Sequence, residues 1–181
     1  MLPASARNLI KNAEVLVGGE RHLAMVPEDH PADRHRWEAP LRKTIARLDT
    51  MRGKRVVVLA TGDPMSYGIG VTLTRKFGTK AVSVQPVAGA FSLAAARMGW
   101  PLHDVDCLTL HGRPLELLNL YLRPSGRLLI MSENRNTPAQ VAAALCANGY
   151  GPSTLTVFDH MGGPKEASHE ELADDLSLIH I

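Results

Sequence analysis

The sequence predicts an α/β chain of 181 residues organised as two consecutive α/β domains, with a mostly parallel sheet in the first. Three observations predict it. Val56, Val57, Val58 and Leu59 form a short continuous apolar block of β-branched character, the pattern of a parallel strand covered on both faces. Helical and strand patterns alternate along the first half, which is the order of βαβ units. After Pro86 an alanine-rich stretch begins and the alternation starts again, which places the domain boundary near Val87 and divides the chain into residues 1–86 and 87–181.

The pattern from about Pro3 to Ala13 predicts a helix leading into the apolar strand Val15 to Val17, which Gly18 and Gly19 terminate. A second helix is expected from Leu41 to Met51, with Leu41, Ile45 and Leu48 on one face. Arg52, Gly53 and Lys54 then turn the chain into the Val56 strand. The helix after Gly62-Asp63-Pro64 runs to about Phe77, and Ala81 to Gln85 is expected as the next strand. In the second half a helix covers Phe91 to Met98 and stops at Gly99. Strands are expected at Cys107 to Leu110, Leu128 to Met131 and Leu155 to Phe158, separated by helices near Leu115 to Leu122 and Pro138 to Ala147. No internal repeat or low-complexity run interrupts this order.

Hydrophobic residues make up 45% of the chain, enough for a buried core. No run approaches the roughly 18 apolar residues of a membrane span, and Met1 to Arg7 lacks the apolar centre of a signal peptide, so a cytoplasmic protein is expected. A formal net charge of +2 is too small for a nucleic-acid face. Arg34, His35, Arg36, Arg42, Lys43 and Arg47 cluster, but Pro31, Glu38 and Pro40 interleave with them, and the stretch reads as a solvated loop and helix face. Cys107 and Cys146 have no Cys-x-x-Cys spacing and read as lone thiols. None of the eight histidines forms a His-x-His or His-x-x-x-His pair with an acidic neighbour, so no metal site is expected.

The loop after the Val56 strand carries the functional signal. It leaves the carboxyl edge of a sheet, where ligands sit in open α/β folds. There Gly62 lets a backbone approach closely, Asp63 can cap the next helix or accept a hydrogen bond, and Pro64 suits the first helical position. Taken alone, Gly-Asp-Pro is equally an ordinary strand-to-helix turn. The rest of the chain adds Val17-Gly18-Gly19-Glu20-Arg21-His22-Leu23, the remainder of Leu59 to Gly70, Ala90 to Arg97 with Gly99-Trp100-Pro101, Leu110-His111-Gly112-Arg113-Pro114, and His160 to Glu166. In this order these segments closely resemble the tetrapyrrole methylases, and within them the branch that methylates carbon 5 of a corrin precursor in the cobalamin pathway. The resemblance runs from about Leu2 to about Asp175. The Gly-Asp-Pro loop marks the whole family, whereas Gly18 to His22 and His111-Gly112-Arg113 point to that branch.

The resemblance implies two α/β domains with S-adenosyl-L-methionine held in the cleft between them and a small tetrapyrrole as the other substrate. It assigns cofactor contacts to Gly62, Asp63 and Ser66, to Phe91 and Ser92, and to Met131 and Ser132. By residue type alone, Phe91 and Met131 are equally core residues and Ser92 a helix cap. A corrin precursor carries several carboxylates, which the planar fork of arginine binds well, so Arg21 and Arg113 are the substrate-binding candidates. His22 and His111 are candidates for moving a proton, with exposed loop side chains or structural hydrogen bonds as the other reading, and Tyr67 is a further candidate, packing either on the flat substrate or on the core. Methyl transfer from a sulfonium is an in-line displacement that needs no covalent nucleophile, and the sequence has no Gly-x-Ser-x-Gly elbow. Some relatives fuse a second domain acting on carbon 15; with none here, only the carbon 5 step is expected. Whether the substrate carries cobalt is not legible. Two other readings stay open: a family member acting on uroporphyrinogen or a protein side chain, and a non-catalytic α/β module for a nucleotide or sugar phosphate. A homodimer is a further open option.

The resemblance also implies incomplete ends. Family members open with a strand and a Gly-rich loop that nothing before Pro3 supplies, and Leu176 to Ile181 reads as a translated sequencing adaptor rather than a late edge strand. On that expectation the 181-residue chain binds S-adenosylmethionine barely or not at all, and exposed strand edges make it prone to associate.

Overall fold

A computed structural model of the chain describes residues 2–176, which form two compact units, Met1–Gly89 and Ala90–Ile181. The first unit runs α1 (Ala4–Lys11), β1 (Val15–Gly18), α2 (Glu20–Leu23), β2 (Asp33–Arg36), α3 (Arg42–Asp49), β3 (Val56–Val58) and α4 (Ile69–Phe77). Its strands form one parallel sheet in the order β2-β1-β3, with Val15 opposite Asp33 on one side and Val56 on the other. All four residues of β1 are buried, and Leu16 has no exposed surface. Leu16 anchors a core with Ala13, Leu23, Val26 and Ala32, the continuous apolar character of a strand flanked on both sides.

Four expectations for this unit need correction. The Val56 block is half-buried along its length rather than covered on both faces. The basic stretch read as solvated loop contains β2, a parallel strand of Asp-Arg-His-Arg. It pairs through its backbone while Arg34 folds back to donate to the carbonyls of Leu23, Val26 and Pro27. Ala81 to Gln85 joins no ladder; Val82 and Val84 are half-buried and their neighbours exposed, so the alternation is real but without a hydrogen-bonded partner strand among the described residues. In α3 the inward position is Thr44, whose hydroxyl accepts the Glu38 N–H at 2.8 Å, whereas Leu41 is 38% exposed.

The second unit runs α5 (Ala90–Met98), a 3-10 turn (Leu102–Asp104), β4 (Asp106–Thr109), a 3-10 helix (Leu115–Leu120), β5 (Leu128–Met131), α6 (Thr137–Ala147), β6 (Thr154–Asp159), β7 (Ala167–Leu172) and α7 (Ala173–Leu176). β4 and β5 pair in parallel, with Cys107 opposite Leu129; β6 and β7 form an antiparallel pair, with Val157 opposite His169. One core gathers Leu108, Leu110, Leu118, Val141, Leu145 and Leu176, and a second gathers Ala94, Ala95 and Leu129 under Phe91 and Trp100. The expected helix at Leu115 to Leu122 is a 3-10 helix that ends at Leu120. β7 escaped prediction because its Ala-Ser-His-Glu-Glu-Leu run is exposed at every position but Glu171. The turn that brings it back is held by Glu166, which pairs with both Arg97 Nε at 2.6 Å and Arg97 Nη2 at 2.9 Å and accepts the Gly162 N–H at 2.6 Å. Leu176 is helical and fully buried rather than part of an edge strand; the remaining five residues of the supposed adaptor, 177–181, lie outside the described residues. No helix among the described residues is long and apolar enough to cross a membrane.

Candidate functional site

In the first unit the carboxyl ends of β1 and β3 lie side by side, tied by Leu59 N–H to the Val17 carbonyl at 2.7 Å. Gly18 suits this approach: a Cβ there would stand 3.1 Å from Leu59 Cβ, a tight contact. α2 starts immediately after Gly19 and presents Arg21 and His22 to the loop leaving β3. Both reach Thr61, with Arg21 Nη2 at 3.4 Å and His22 Nε2 at 2.9 Å from its Oγ1. His22 Nδ1 is buried with no hydrogen-bond partner. Burial, and secondarily the charge of Arg21, push the His22 pKa below its ordinary value, so the imidazole is neutral near pH 7.

The loop itself is built on close backbone approaches. Gly62 sits at φ 58°, and a Cβ on it would lie 2.8 Å from Gly89 Cα, while its carbonyl accepts the Val87 N–H at 3.2 Å. Asp63 caps a tight turn rather than the following helix: its Oδ1 accepts the Met65 N–H at 2.8 Å and its carbonyl the Ser66 N–H at 3.1 Å. Pro64 correspondingly lies inside this turn, and α4 begins only at Ile69, after Gly68. Cβ atoms at Gly68 or Gly70 would both come within 2.7 Å of the Pro64 carbonyl oxygen, so the turn folds tightly onto the start of α4. Tyr67, half exposed, holds φ 55°, a left-handed conformation uncommon for a bulky residue.

In the second unit the ends of β4 and β5 form a corresponding edge, tied by Leu110 N–H to the Met131 carbonyl at 2.9 Å. The exposed loop beyond β4 is fixed by His111 N–H on Thr109 Oγ1 at 3.2 Å and Gly112 N–H on Glu133 Oε1 at 3.3 Å. His111, Arg113, Met131 and Ser132 thus belong to one sheet edge. A cavity of about 250 Å³ opens in this unit, and its lining includes Phe91, Trp100, Met131, Ser132, Phe158 and Met161. Ser92, exposed on α5, is not part of that lining, and neither are His111 and Arg113. Sequence reasoning missed Thr61, although it directly precedes Gly62, and missed Glu133, which lies just past the Met131-Ser132 strand end.

The whole chain is similar to proteins of one kind. The precorrin-6Y C(5,15)-methyltransferase [decarboxylating] of Sinorhizobium sp is 37% identical over 97% of this chain, which spans 43% of that longer protein. The cobalt-precorrin-7 C(5)-methyltransferase of Salmonella typhimurium (strain LT2) is 30% identical over 93% of this chain and 82% of its own length. Among solved structures, uroporphyrin-III C-methyl transferase from Thermus thermophilus, complexed with S-adenosyl homocysteine, superposes with a TM-score of 0.71 over 97% of this chain and 79% of that one, at 22% identity. Residues 1–177 match the tetrapyrrole (corrin/porphyrin) methylases, and the chain belongs to that family.

Proposed function

We propose that the protein is an S-adenosylmethionine-dependent C-methyltransferase acting at carbon 5 of a precorrin or cobalt-precorrin in cobalamin biosynthesis. The observation that carries this reading is what two unequal relatives share. One has a name covering carbons 5 and 15 and a decarboxylation, and this chain spans less than half of it; the other has a name covering carbon 5 alone and is spanned over 82% of its length. Carbon 5 is the common term.

The residues fit the cofactor. In the second unit an apolar cavity with an aromatic wall at Phe91, a thioether at Met131 and a hydroxyl at Ser132 suits a nucleoside with a sulfur-bearing tail. When bound, S-adenosylmethionine supplies a methyl group on a sulfonium. The chain's own task is alignment, which lowers such a barrier by about 7–11 kcal/mol. On this reading Gly62, Asp63 and Ser66 in the first unit, and Phe91, Met131 and Ser132 in the second, are the cofactor candidates, Arg21 and Arg113 the candidates for substrate carboxylates, and His22 takes up the proton released after transfer. Of the second-unit cofactor candidates, Ser92 has the weakest support, since it is not among the residues lining the cavity. The test is methyl transfer by the protein expressed from its complete gene, given labelled S-adenosylmethionine and the cobalt-free and cobalt-containing precorrins in turn. One of them is expected to gain a methyl group at carbon 5; transfer to neither, or to uroporphyrinogen instead, overturns the reading.

A further inference from the structure

Thr61 is where three parts of the first unit meet. β1 ends at Gly18, α2 supplies Arg21 and His22, and β3 runs on to Thr61 one position before Gly62. A guanidinium has only N–H groups to give, so Oγ1 accepts from Arg21. Oγ1 keeps a second lone pair and its own proton, so the 2.9 Å contact with Nε2 can run either way; with the hydroxyl donating to the neutral imidazole, the ring's own proton sits on Nδ1. Nδ1 is buried without a partner and can pass a proton to nothing, whereas Thr61 is an exposed residue. The way from the imidazole to a bound molecule therefore runs through Oγ1.

We propose that Thr61 and His22 form a proton relay at the Gly62 edge, in which Oγ1 takes the proton released from the methylated ring while its own proton passes to Nε2. The proposal rests on the methyltransferase reading above. A carbon–carbon bond forms from a π pair of the ring as the methyl–sulfur bond breaks and leaves its pair on sulfur. The ring, one positive charge richer, loses a proton whose bonding pair returns to the π system. That proton arrives on Oγ1, the Thr61 proton arrives on Nε2, and Thr61 ends unchanged beside an imidazolium that later gives its proton to water. The nearby charges suit the cycle. Burial, with Arg21 beside it, keeps the resting imidazole neutral; Glu20 is engaged by Arg36 on β2, and the Asp63 carboxylate by the Met65 N–H.

The experiment compares wild type with Thr61→Val and Thr61→Ser by ¹⁵N NMR of histidine-labelled protein, using His22→Gln to assign the signal, alongside methyl-transfer kinetics. The wild type is expected to hold His22 as the Nδ1–H tautomer, Thr61→Val to switch it to Nε2–H, and Thr61→Ser to restore it. Thr61→Val should lower kcat by about 100-fold with little change in the KM for S-adenosylmethionine, and Thr61→Ser should recover most of it. A wild-type Nε2–H tautomer, or a Thr61→Val enzyme as fast as wild type, overturns the relay. Absence of transfer to any precorrin with the Nδ1–H tautomer in place counts against the substrate reading and supports the hydroxyl-to-imidazole direction.

Discussion

At the scale of single residues, Gly62 is the position where conformation and space act together. Its φ of 58° costs a side-chain-bearing residue about 1–2 kcal/mol, and a Cβ would also be driven to 2.8 Å from Gly89 Cα. Gly62→Val is expected to remove S-adenosylhomocysteine binding in calorimetry while circular dichroism still reports a folded chain. Gly53 separates the two effects, because it has φ 87° with nothing within 4 Å of a Cβ. Gly53→Ala should lose about 1 kcal/mol of stability and keep binding. The glycine-rich loop was legible because close backbone approach requires glycine whatever surrounds it. The role of Asp63 was not: a carboxylate before Pro64 looks the same in sequence whether it caps a helix or, as here, the Met65 N–H of a turn. Thr61 was illegible for a similar reason, since its partners Arg21 and His22 reach it from a different element.

Among the elements, strands with apolar runs were readable and strands held mainly by backbone were not. Leu128–Met131 was recoverable residue for residue as β5, and β1 and β6 to within a residue, because burial leaves a hydrophobic signature. β2 and β7 carry mostly polar side chains on exposed or half-buried positions, and each is held as a strand by the backbone ladder to its neighbour. Ala81 to Gln85 shows the converse, an alternating pattern with no ladder among the described residues. In β1, Leu16→Ala deletes a side chain with no exposed surface and is expected to cost about 3 kcal/mol in denaturant unfolding. In the turn between β6 and β7, Arg97 and the Gly162 N–H hold Glu166 down to a pKa of about 2 from an ordinary 4.5. Between those values the unfolded chain binds the extra proton, so acid favours unfolding and the contribution of Glu166 is complete above about pH 4.5 and lost towards pH 2. Glu166→Gln should melt below wild type at neutral pH, with the gap closing across that acid interval. Both partners are partly exposed, so added salt should narrow the gap as well.

For the whole molecule, the division at Gly89 and Ala90 gives each unit its own hydrophobic core. Hydrogen exchange is expected to report the two cores separately: Leu16→Ala should lose amide protection mainly in residues 2–89, and Leu118→Ala mainly in residues 90–176. Equal loss throughout both units would show one cooperative body. The family was legible from five short segments in one order, and the carbon 5 branch from Gly18 to His22 and His111-Gly112-Arg113, a reading that both named relatives support. A last property follows from β2. Among the described residues it forms one margin of the first sheet, and it presents Asp33, Arg34, His35 and Arg36 there in place of aliphatic side chains. A stray strand laying itself along that margin would meet the exposed charges of Asp33 and Arg36 rather than an apolar row. The residues that hid β2 from a hydrophobicity-based reading are thus the ones that discourage fibril-type stacking on that side.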